Sequence, residues 1–197
     1  MKNKLVLLVV TLISAVMIFL VGCQGREQTK EEVYKDFKDR LTKITSYTCI
    51  AKVEAIGNKT STMYVFKHTY EKPDYYKLEV KSPQNISGKV MEYKGDKLLI
   101  HNPNIDDTIE LPNINNDCHY LFIGDFMKNY LDNETVTLES TSTQLKIEIE
   151  IPGDNKYFNK QILYVNNKTK NPEKMEIIDY EESPRFIVTY EDFQYDK

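Results

Sequence analysis

The residue with the clearest chemical potential is Cys23, at the end of an apolar N-terminal run. Lys2 and Lys4 give the chain a positive start, and an uncharged hydrophobic segment extends from Leu5 to Val21. The sequence Leu20-Val21-Gly22-Cys23 places a small residue directly before the cysteine, which is typical of the end of a secretory signal. Because a cysteine thiolate is a nucleophile, this position can be modified covalently on sulfur.

This pattern resembles the lipobox of bacterial lipoproteins. The resemblance implies that a diacylglyceryl group is added to the Cys23 thiol and that the chain is cut just before it. A plain transmembrane anchor is the alternative, but the seventeen residues from Leu5 to Val21 would barely cross a bilayer, which usually takes ~20. We therefore predict a signal peptide at 1–22, lipid attachment at Cys23, and an extracytoplasmic protein anchored to the membrane by its lipid.

The net charge of the mature protein limits which kinds of partner it can bind. The chain carries 26 basic and 30 acidic residues, and removing residues 1–22 takes away two lysines and no acid. The mature protein is therefore acidic, whereas nucleic-acid binding needs a basic surface, and we predict no nucleic-acid partner. An anionic membrane surface gives no electrostatic attraction either, so membrane adhesion must come mainly from the acyl chains.

Patterns for catalysis or metal binding are missing from the sequence. The histidines His68, His101 and His119 are scattered and show no His-x-His or His-Glu-x-x-His spacing, which metal sites commonly use. Cys118 and His119 are adjacent, but neighbours on a helix point about 100° apart, which does not suit a nucleophile and its base. There is no Gly-x-Ser-x-Gly elbow and no phosphate loop. We predict a protein that is not an enzyme and holds no cofactor and no metal.

Two cysteines remain in the mature chain besides Cys23. Cys49 lies on the apolar face of a predicted strand, where a thiol is usually a small buried hydrophobe. A disulfide with Cys118 is the alternative, and the sequence alone leaves it open because it does not report the geometry that a disulfide requires.

The mature chain opens with one predicted helix. Residues 24–28 form a short polar tether, and Thr29 to Glu32 reads as a capping box. Val33, Phe37, Leu41 and Ile44 then follow at helical spacing and make one apolar stripe. Such a helix could also lie on a bilayer, but the mixed charge of its polar face favours packing against a sheet.

Apolar residues recur with a period of two over most of the remaining chain, which is the pattern of half-buried strands. The short connections favour antiparallel pairing. The predicted strands are Tyr47–Ala55, Thr62–Tyr70, Tyr75–Lys81, Lys89–Tyr93, Lys97–His101, Thr108–Leu111, Glu134–Ser140, Gln144–Ile151, Lys160–Val165, Glu173–Tyr180 and Arg185–Glu191.

The stretch His119–Leu131 interrupts the strands and suits a buried helix, either in one piece or broken at Gly124-Asp125. About eleven strands exceed what a flat open sheet tolerates, so the sheet should curl strongly. We therefore predict a mainly β (α+β) fold: a strongly curved antiparallel sheet with the N-terminal and central helices on its concave face.

Aromatic residues are concentrated on neighbouring predicted strands. Three outcomes are open for them: they fill the core between sheet and helices, they line a groove for an acyl chain, or they form a protein interface. Core filling is the favoured interpretation. The residues are Tyr64, Phe66, Tyr70, Tyr75, Tyr76 and Tyr93.

Three short segments resemble the superfamily of the lipoprotein carrier LolA, and their order adds to the likeness. Lys72 to Glu79 is similar to its Pro-Asp-x-x-Arg-x-Glu strand, with Lys77 at the arginine position. Met91 to Leu98 is similar to its Asp-Gly-Lys hairpin. Asn171 to Ile177 is similar to its Leu-Pro-x-Lys turn, with Asn171 in place of leucine. The resemblance implies a LolA-like half-barrel over residues 29–197, after the tether at 23–28.

Within that superfamily the chain resembles the GerS-type germination lipoproteins. This resemblance implies a spore membrane protein that binds and activates a cortex peptidoglycan amidase of the CwlD type, for muramic-δ-lactam formation. It supplies no partner-binding residue. The alternative is a lipid or lipoprotein carrier that holds acyl chains on the concave face. The edges of an open sheet also allow a homodimer by strand exchange.

Overall fold

Eleven antiparallel strands of the described chain form one sheet, as the period-two pattern predicts. The structure, a computed structural model, describes residues 28–73, 75–95, 97–112, 120–132, 135–153 and 155–195. The strands are β1 (Ser46–Ile56), β2 (Ser61–Glu71), β3 (Tyr75–Ser82), β4 (Val90–Lys94), β5 (Lys97–Asn102), β6 (Asp107–Pro112), β7 (Val136–Ser140), β8 (Gln144–Glu150), β9 (Lys160–Asn166), β10 (Pro172–Ile178) and β11 (Pro184–Tyr195).

The first and last strands, β1 and β11, pair with each other at the centre of the sheet. The strand order is β6-β5-β4-β3-β2-β1-β11-β10-β9-β8-β7, so every pair except β1 and β11 consists of consecutive strands. In β1, Ala51 and Val53 lie opposite Tyr190 and Val188 of β11, and all four are buried. They define the inner face of the sheet, while β6 and β7 form its two edges.

Helix α1 (Lys30–Lys43) begins at the predicted capping box. The Thr29 hydroxyl accepts a hydrogen bond from the Glu32 N–H at 3.3 Å, and the Glu32 carboxylate accepts one from the Thr29 N–H at 2.9 Å. Val33, Phe37 and Leu41 are buried in the core, and α1 contacts β7 and β8. The apolar stripe therefore packs on the sheet, as its spacing predicts.

Helix α2 (Ile123–Asp132) is continuous, so the alternative of a break at Gly124-Asp125 is wrong. Tyrosines of the sheet hold its first turn: the Ile123 N–H donates to the Tyr47 hydroxyl at 3.0 Å, and the Tyr76 hydroxyl donates to Asp125 at 2.6 Å. A Cβ at Gly124 would lie 2.5 Å from the Tyr70 ring. The glycine therefore permits a close approach of helix and sheet and does not end the helix.

The residue just before α2, Phe122, is fully buried against the N-terminal half of the sheet. Its ring centroid lies 4.7 Å from that of His68 on β2, 4.6 Å from that of Tyr76 on β3 and 6.4 Å from that of Tyr93 on β4. Phe122 thus contacts side chains from three consecutive strands.

The two residues before Phe122 contact the other half of the sheet. The Tyr120 carbonyl accepts a hydrogen bond from Gln161 on β9 at 2.8 Å, and the Leu121 carbonyl accepts one from Tyr190 on β11 at 3.1 Å. In a flat sheet β4 and β9 would lie about 29 Å apart, at ~4.8 Å for each strand spacing. Three consecutive residues reach both, so the sheet curves strongly around them, and the helices occupy its concave side.

The outer face of the sheet is covered with lysine–glutamate pairs. Examples are Lys160 with Glu148 at 3.5 Å and Lys94 with Glu92 at 3.0 Å. The side chains of these pairs are partly exposed to solvent. Each such pair therefore contributes little to stability. None of the described helices is long and apolar enough to span a membrane.

Candidate binding groove and interaction edge

The predicted lipid attachment residue, Cys23, lies outside the described residues, but the structure shows where the tether joins the domain. Gln28, the first described residue, donates to Asp36 of α1 at 2.8 Å and accepts from the Lys170 ammonium at 2.6 Å. Lys170 lies in the β9–β10 turn, and its carbonyl accepts a hydrogen bond from Tyr195 at the end of β11. We call this end of the sheet the tether end.

The histidines and cysteines of the described chain do not assemble a reactive centre. His101 lies on β5 with Nδ1 3.1 Å from the Thr108 hydroxyl. Cys49 is buried, and burial raises the pKa of its thiol, which makes it unreactive. Cys49 is a free cysteine in the structure, and Cys118 and His119 fall outside the described residues. In the part of the chain that the structure describes, no group of three His, Cys, Asp or Glu side chains could hold a metal ion.

His68 lies on β2 and is a fully buried polar side chain. Its ring packs between Phe66 and Phe122, and neither ring nitrogen has a hydrogen-bond partner among the described residues. Burial lowers the pKa of His68 to about 3, because a charged imidazole cannot be solvated there. His68 is therefore a neutral core residue.

Replacing His68 by leucine is expected to reduce the loss of stability at acid pH. The folded protein keeps His68 neutral down to about pH 3, whereas the unfolded chain takes up a proton below its ordinary value of 6.5, so stability falls as pH falls between them. This one group accounts for about 1.4 kcal/mol per pH unit. Urea unfolding at pH 7.0, 5.5 and 4.5 measures it, with His101→Gln as the control. Parallel pH curves for wild type and His68→Leu would contradict the prediction.

Most of the six aromatic residues noted in the sequence fill the core. Phe66, Tyr70, Tyr76 and Tyr93 are buried. Tyr76 and Tyr93 contact Phe122, Tyr70 contacts Tyr76, and Phe66 contacts His68. Tyr75 lies on the outer face, as its pairing with Lys94 indicates. Tyr64 lines a cavity. The favoured interpretation, core filling, is confirmed for the four buried rings.

An aromatic-lined opening lies at the end of the sheet opposite the tether end, which we call the far end. It is built by the β1–β2 and β8–β9 loops, the adjoining ends of β1 and β2, and the start of β11. A groove of about 560 Å³ lies here, within the size range of small-molecule sites. Its aromatic lining consists of Tyr64 of β2, Phe186 of β11, and Tyr157 and Phe158 of the β8–β9 loop. The sequence did not single out this site.

A fixed polar group stands at the rim of the groove. Arg185 donates from Nε to Asp179 at 2.6 Å and from Nη1 to the Asn58 side chain at 2.9 Å. Asp179 also accepts hydrogen bonds from the N–H groups of Ser183 and Glu181. The hydrogen bond from the Ser183 N–H holds the pKa of the Asp179 carboxyl below its usual value, and the Arg185 guanidinium lowers it further. The carboxylate therefore stays ionised and balances the charge of Arg185.

A second exposed apolar feature lies along the edge strand β6. Ile109 and Leu111 are 54% and 40% exposed, although they lie opposite Ile100 and Leu98 on the inner-face register. Ile105, in the preceding turn, is 68% exposed. Among the described strands β6 pairs only with β5, so its other edge offers backbone groups to a further strand. We call Ile105, Ile109 and Leu111 the apolar edge.

Comparison with known proteins adds information that the geometry lacks. Residues 2–197 match the model of the YdcC-like sporulation protein family. No curated protein matches the chain.

Among solved structures, the chain is similar to one in the complex of the CwlD amidase from Clostridioides difficile with the GerS lipoprotein. The two are 55% identical, with a TM-score of 0.55, over 88% of this chain and 99% of that chain. An uncharacterised conserved protein from Thermus thermophilus is 11% identical, with a TM-score of 0.52 over 86% of this chain and 89% of that one, which reflects a shared fold. A LolA superfamily protein from Nitrosomonas europaea is 12% identical, with a TM-score of 0.45 over 86% and 94%.

Proposed function

Because the chain belongs to the YdcC-like sporulation protein family, we propose that it is a non-catalytic lipoprotein that binds and activates a cortex peptidoglycan amidase. The observation that carries this proposal is the 55% identity, over 88% of the chain, with a component of the complex between the CwlD amidase and the GerS lipoprotein. At this identity the surface that contacts a partner can be retained along with the fold. The amidase would be of the CwlD type and would serve muramic-δ-lactam formation and germination.

The chemistry of the described residues supports a binding role. The buried titratable groups His68 and Cys49 are held in their neutral forms by burial. Neither is placed to act as a base or a nucleophile. The protein would therefore act by contact, with the catalytic groups supplied by the amidase.

Membrane attachment through lipidated Cys23 completes the proposal. The tether between Cys23 and Gln28 is short, so the tether end would lie within about 18 Å of the bilayer, at ~3.5 Å per residue. The described domain would then face the extracytoplasmic side of a spore membrane, towards the cortex. This places the protein beside an amidase that works on cortex peptidoglycan.

Co-purification tests the proposed function directly. The full chain, held in a nanodisc, is mixed with the organism's CwlD-type amidase, and the complex is isolated by size exclusion. We expect a stoichiometric complex, and amidase activity on cortex peptidoglycan only when both proteins are present. An amidase that is fully active alone, or that never co-elutes, would count against the proposal.

The apolar edge is the surface where we expect the amidase to dock. Ile109→Glu should weaken the complex at least about tenfold, because it places a charge in the centre of an apolar contact. Met63→Glu is the matched control, since Met63 is 53% exposed, close to the 54% of Ile109, but lies elsewhere, on β2. Titration of each variant against labelled amidase gives the two affinities. Equal affinities would show that the amidase binds another surface.

The carrier alternative has less support from the described inner face. A continuous core cluster that includes Phe122, Phe126, Leu163 and Val188 fills the space between the helices and the sheet. An acyl chain would have to displace these side chains or occupy only the far-end groove. A homodimer formed through β6 or β7 is a further proposal, since each edge has one strand partner among the described residues.

A further inference from the structure

The groove at the far end combines aromatic rings, of which Tyr157 is exposed, with polar side chains, and the proposed amidase contact on β6 does not use it. We propose that this groove binds a pyranose ring of an oligosaccharide. Such a ring has apolar C–H faces, which pack on aromatic side chains, and hydroxyl edges, which hydrogen-bond to polar side chains.

The aromatic part of the site is already formed. The Phe158 and Phe186 rings are stacked with centroids 6.0 Å apart and planes 10° apart, and Phe158 also contacts Tyr120 beside α2. These contacts fix the floor of the groove to the core. Tyr157, in the β8–β9 loop, also lines the groove. Its side chain is 47% exposed, so its ring is accessible to a ligand. A sugar ring that covered Tyr157 would bury apolar surface on both molecules.

The Arg185–Asp179 pair at the rim is rigid and carries no net charge, while the Lys156 ammonium lies 4.8 Å from the centroid of the Tyr157 ring. Arg185 is held by Asp179 and Asn58, and the Asp179 side chain is only 2% exposed. Because the guanidinium charge is balanced by the carboxylate, this pair does not select an anion. It presents fixed hydrogen-bonding groups at little entropic cost to binding, which suits hydroxyl and acetamido groups.

The remaining lining argues against an acyl chain. Asn58, Thr60 and Thr62 contribute polar side chains beside the aromatic rings. A hydrocarbon would cover the hydroxyls of Thr60 and Thr62 without hydrogen-bonding to them, and each buried polar group left unpaired is unfavourable by about 1–3 kcal/mol. A sugar supplies the donors and acceptors that they need.

The position of the groove also fits a ligand outside the membrane. The strand β1 runs from Tyr47, which lies opposite Tyr195 at the tether end, to Ile56 at the groove. The eleven residues of β1 span about 36 Å at ~3.3 Å per residue. The groove therefore opens at the end of the domain away from the tether.

Saturation-transfer NMR tests the proposal with the full chain in a nanodisc and no amidase present. The probe is the β-1,4-linked tetramer of N-acetylglucosamine. We expect transfer from the protein to the sugar ring protons, an affinity reduced at least about tenfold by Tyr157→Ala, and an unchanged affinity for Tyr157→Phe, which keeps the ring. Tyr180→Ala is the matched control, because Tyr180 is 53% exposed at the same end but does not line the groove.

Two results would overturn the inference. One is the absence of transfer to the tetramer in the wild-type protein. The other is an equal loss of affinity in Tyr157→Ala and Tyr180→Ala, which would place any sugar contact outside the groove. Since the amidase is not in the sample, neither result depends on the outcome of the co-purification, and the two proposals can fail separately.

Discussion

Replacing Phe122 by alanine is expected to destabilise the fold by about 3–5 kcal/mol. The side chain is fully buried and contacts rings on β2, β3 and β4. Its removal would leave a cavity at the point around which the sheet curves, and the packed rings of His68 and Tyr76 cannot fill it without leaving their strands. A loss of this size is a large part of the stability of a domain.

Urea unfolding followed by far-UV circular dichroism measures this loss, which suits a chain without tryptophan. Phe158→Ala is the matched control, because Phe158 is a partly buried phenylalanine at the open far end, where the loop can adjust. We expect the control to be destabilised by clearly less. A Phe122→Ala variant no less stable than Phe158→Ala would mean that the segment before α2 does not organise the sheet.

Replacing Cys23 by alanine is expected to abolish lipid attachment completely. The thiol is the only atom of the predicted lipobox that can take the diacylglyceryl group. Each buried methylene of an acyl chain contributes about 0.8 kcal/mol to membrane binding, and two chains hold where one exchanges. Losing both chains should therefore have an all-or-none effect on the anchor.

Metabolic labelling with a palmitate analogue measures lipid attachment in the organism's own membranes. The wild-type protein should carry the label, and Cys23→Ala should carry none and keep the mass of the uncleaved chain, 23.1 kDa. Cys118→Ala is the control and should be labelled as the wild type is. Label on Cys23→Ala would refute the lipobox, and an unlabelled wild type would favour a transmembrane anchor.

Local elements such as α1 and β1 were predictable because each has one solvent-exposed face and one buried face. The spacing of Val33, Phe37 and Leu41 predicts α1, and all three are buried. The alternation around Cys49 and Val53 predicts β1 in the same way. The number of strands, their antiparallel pairing and the curl of the sheet follow from these patterns with the short connections, and the structure confirms them.

The start of α2 was not predictable, because distant side chains determine it. The sequence from 119 onward has helical apolar spacing, yet residues 120–121 form a short 3₁₀ turn before α2 begins at Ile123. The Ile123 N–H donates a hydrogen bond to the hydroxyl of Tyr47, which is 76 residues earlier in the chain. Local periodicity carries no information about such a contact.

The far-end groove was missed for a related reason. Arg185 and Asn58, which meet at its rim, are 127 residues apart in sequence. They come together because β11 pairs with β1, and a pattern within one segment does not reveal that pairing. The clue in the sequence was Tyr157, an aromatic residue in a loop of polar and turn-forming residues, and its position did not identify a ligand.

The pairing of β1 with β11 also has a consequence for biogenesis. If the chain is exported from its N-terminus, β1 emerges early and β11 last. Strands β2–β6 and β7–β10 can pair with their sequence neighbours as they appear, but the two halves join only when β11 arrives. Contacts of such long sequence separation form late and slowly. Until translocation ends, one side of β1 therefore has no strand partner, and a chaperone that shields exposed strands would act on this protein at that stage.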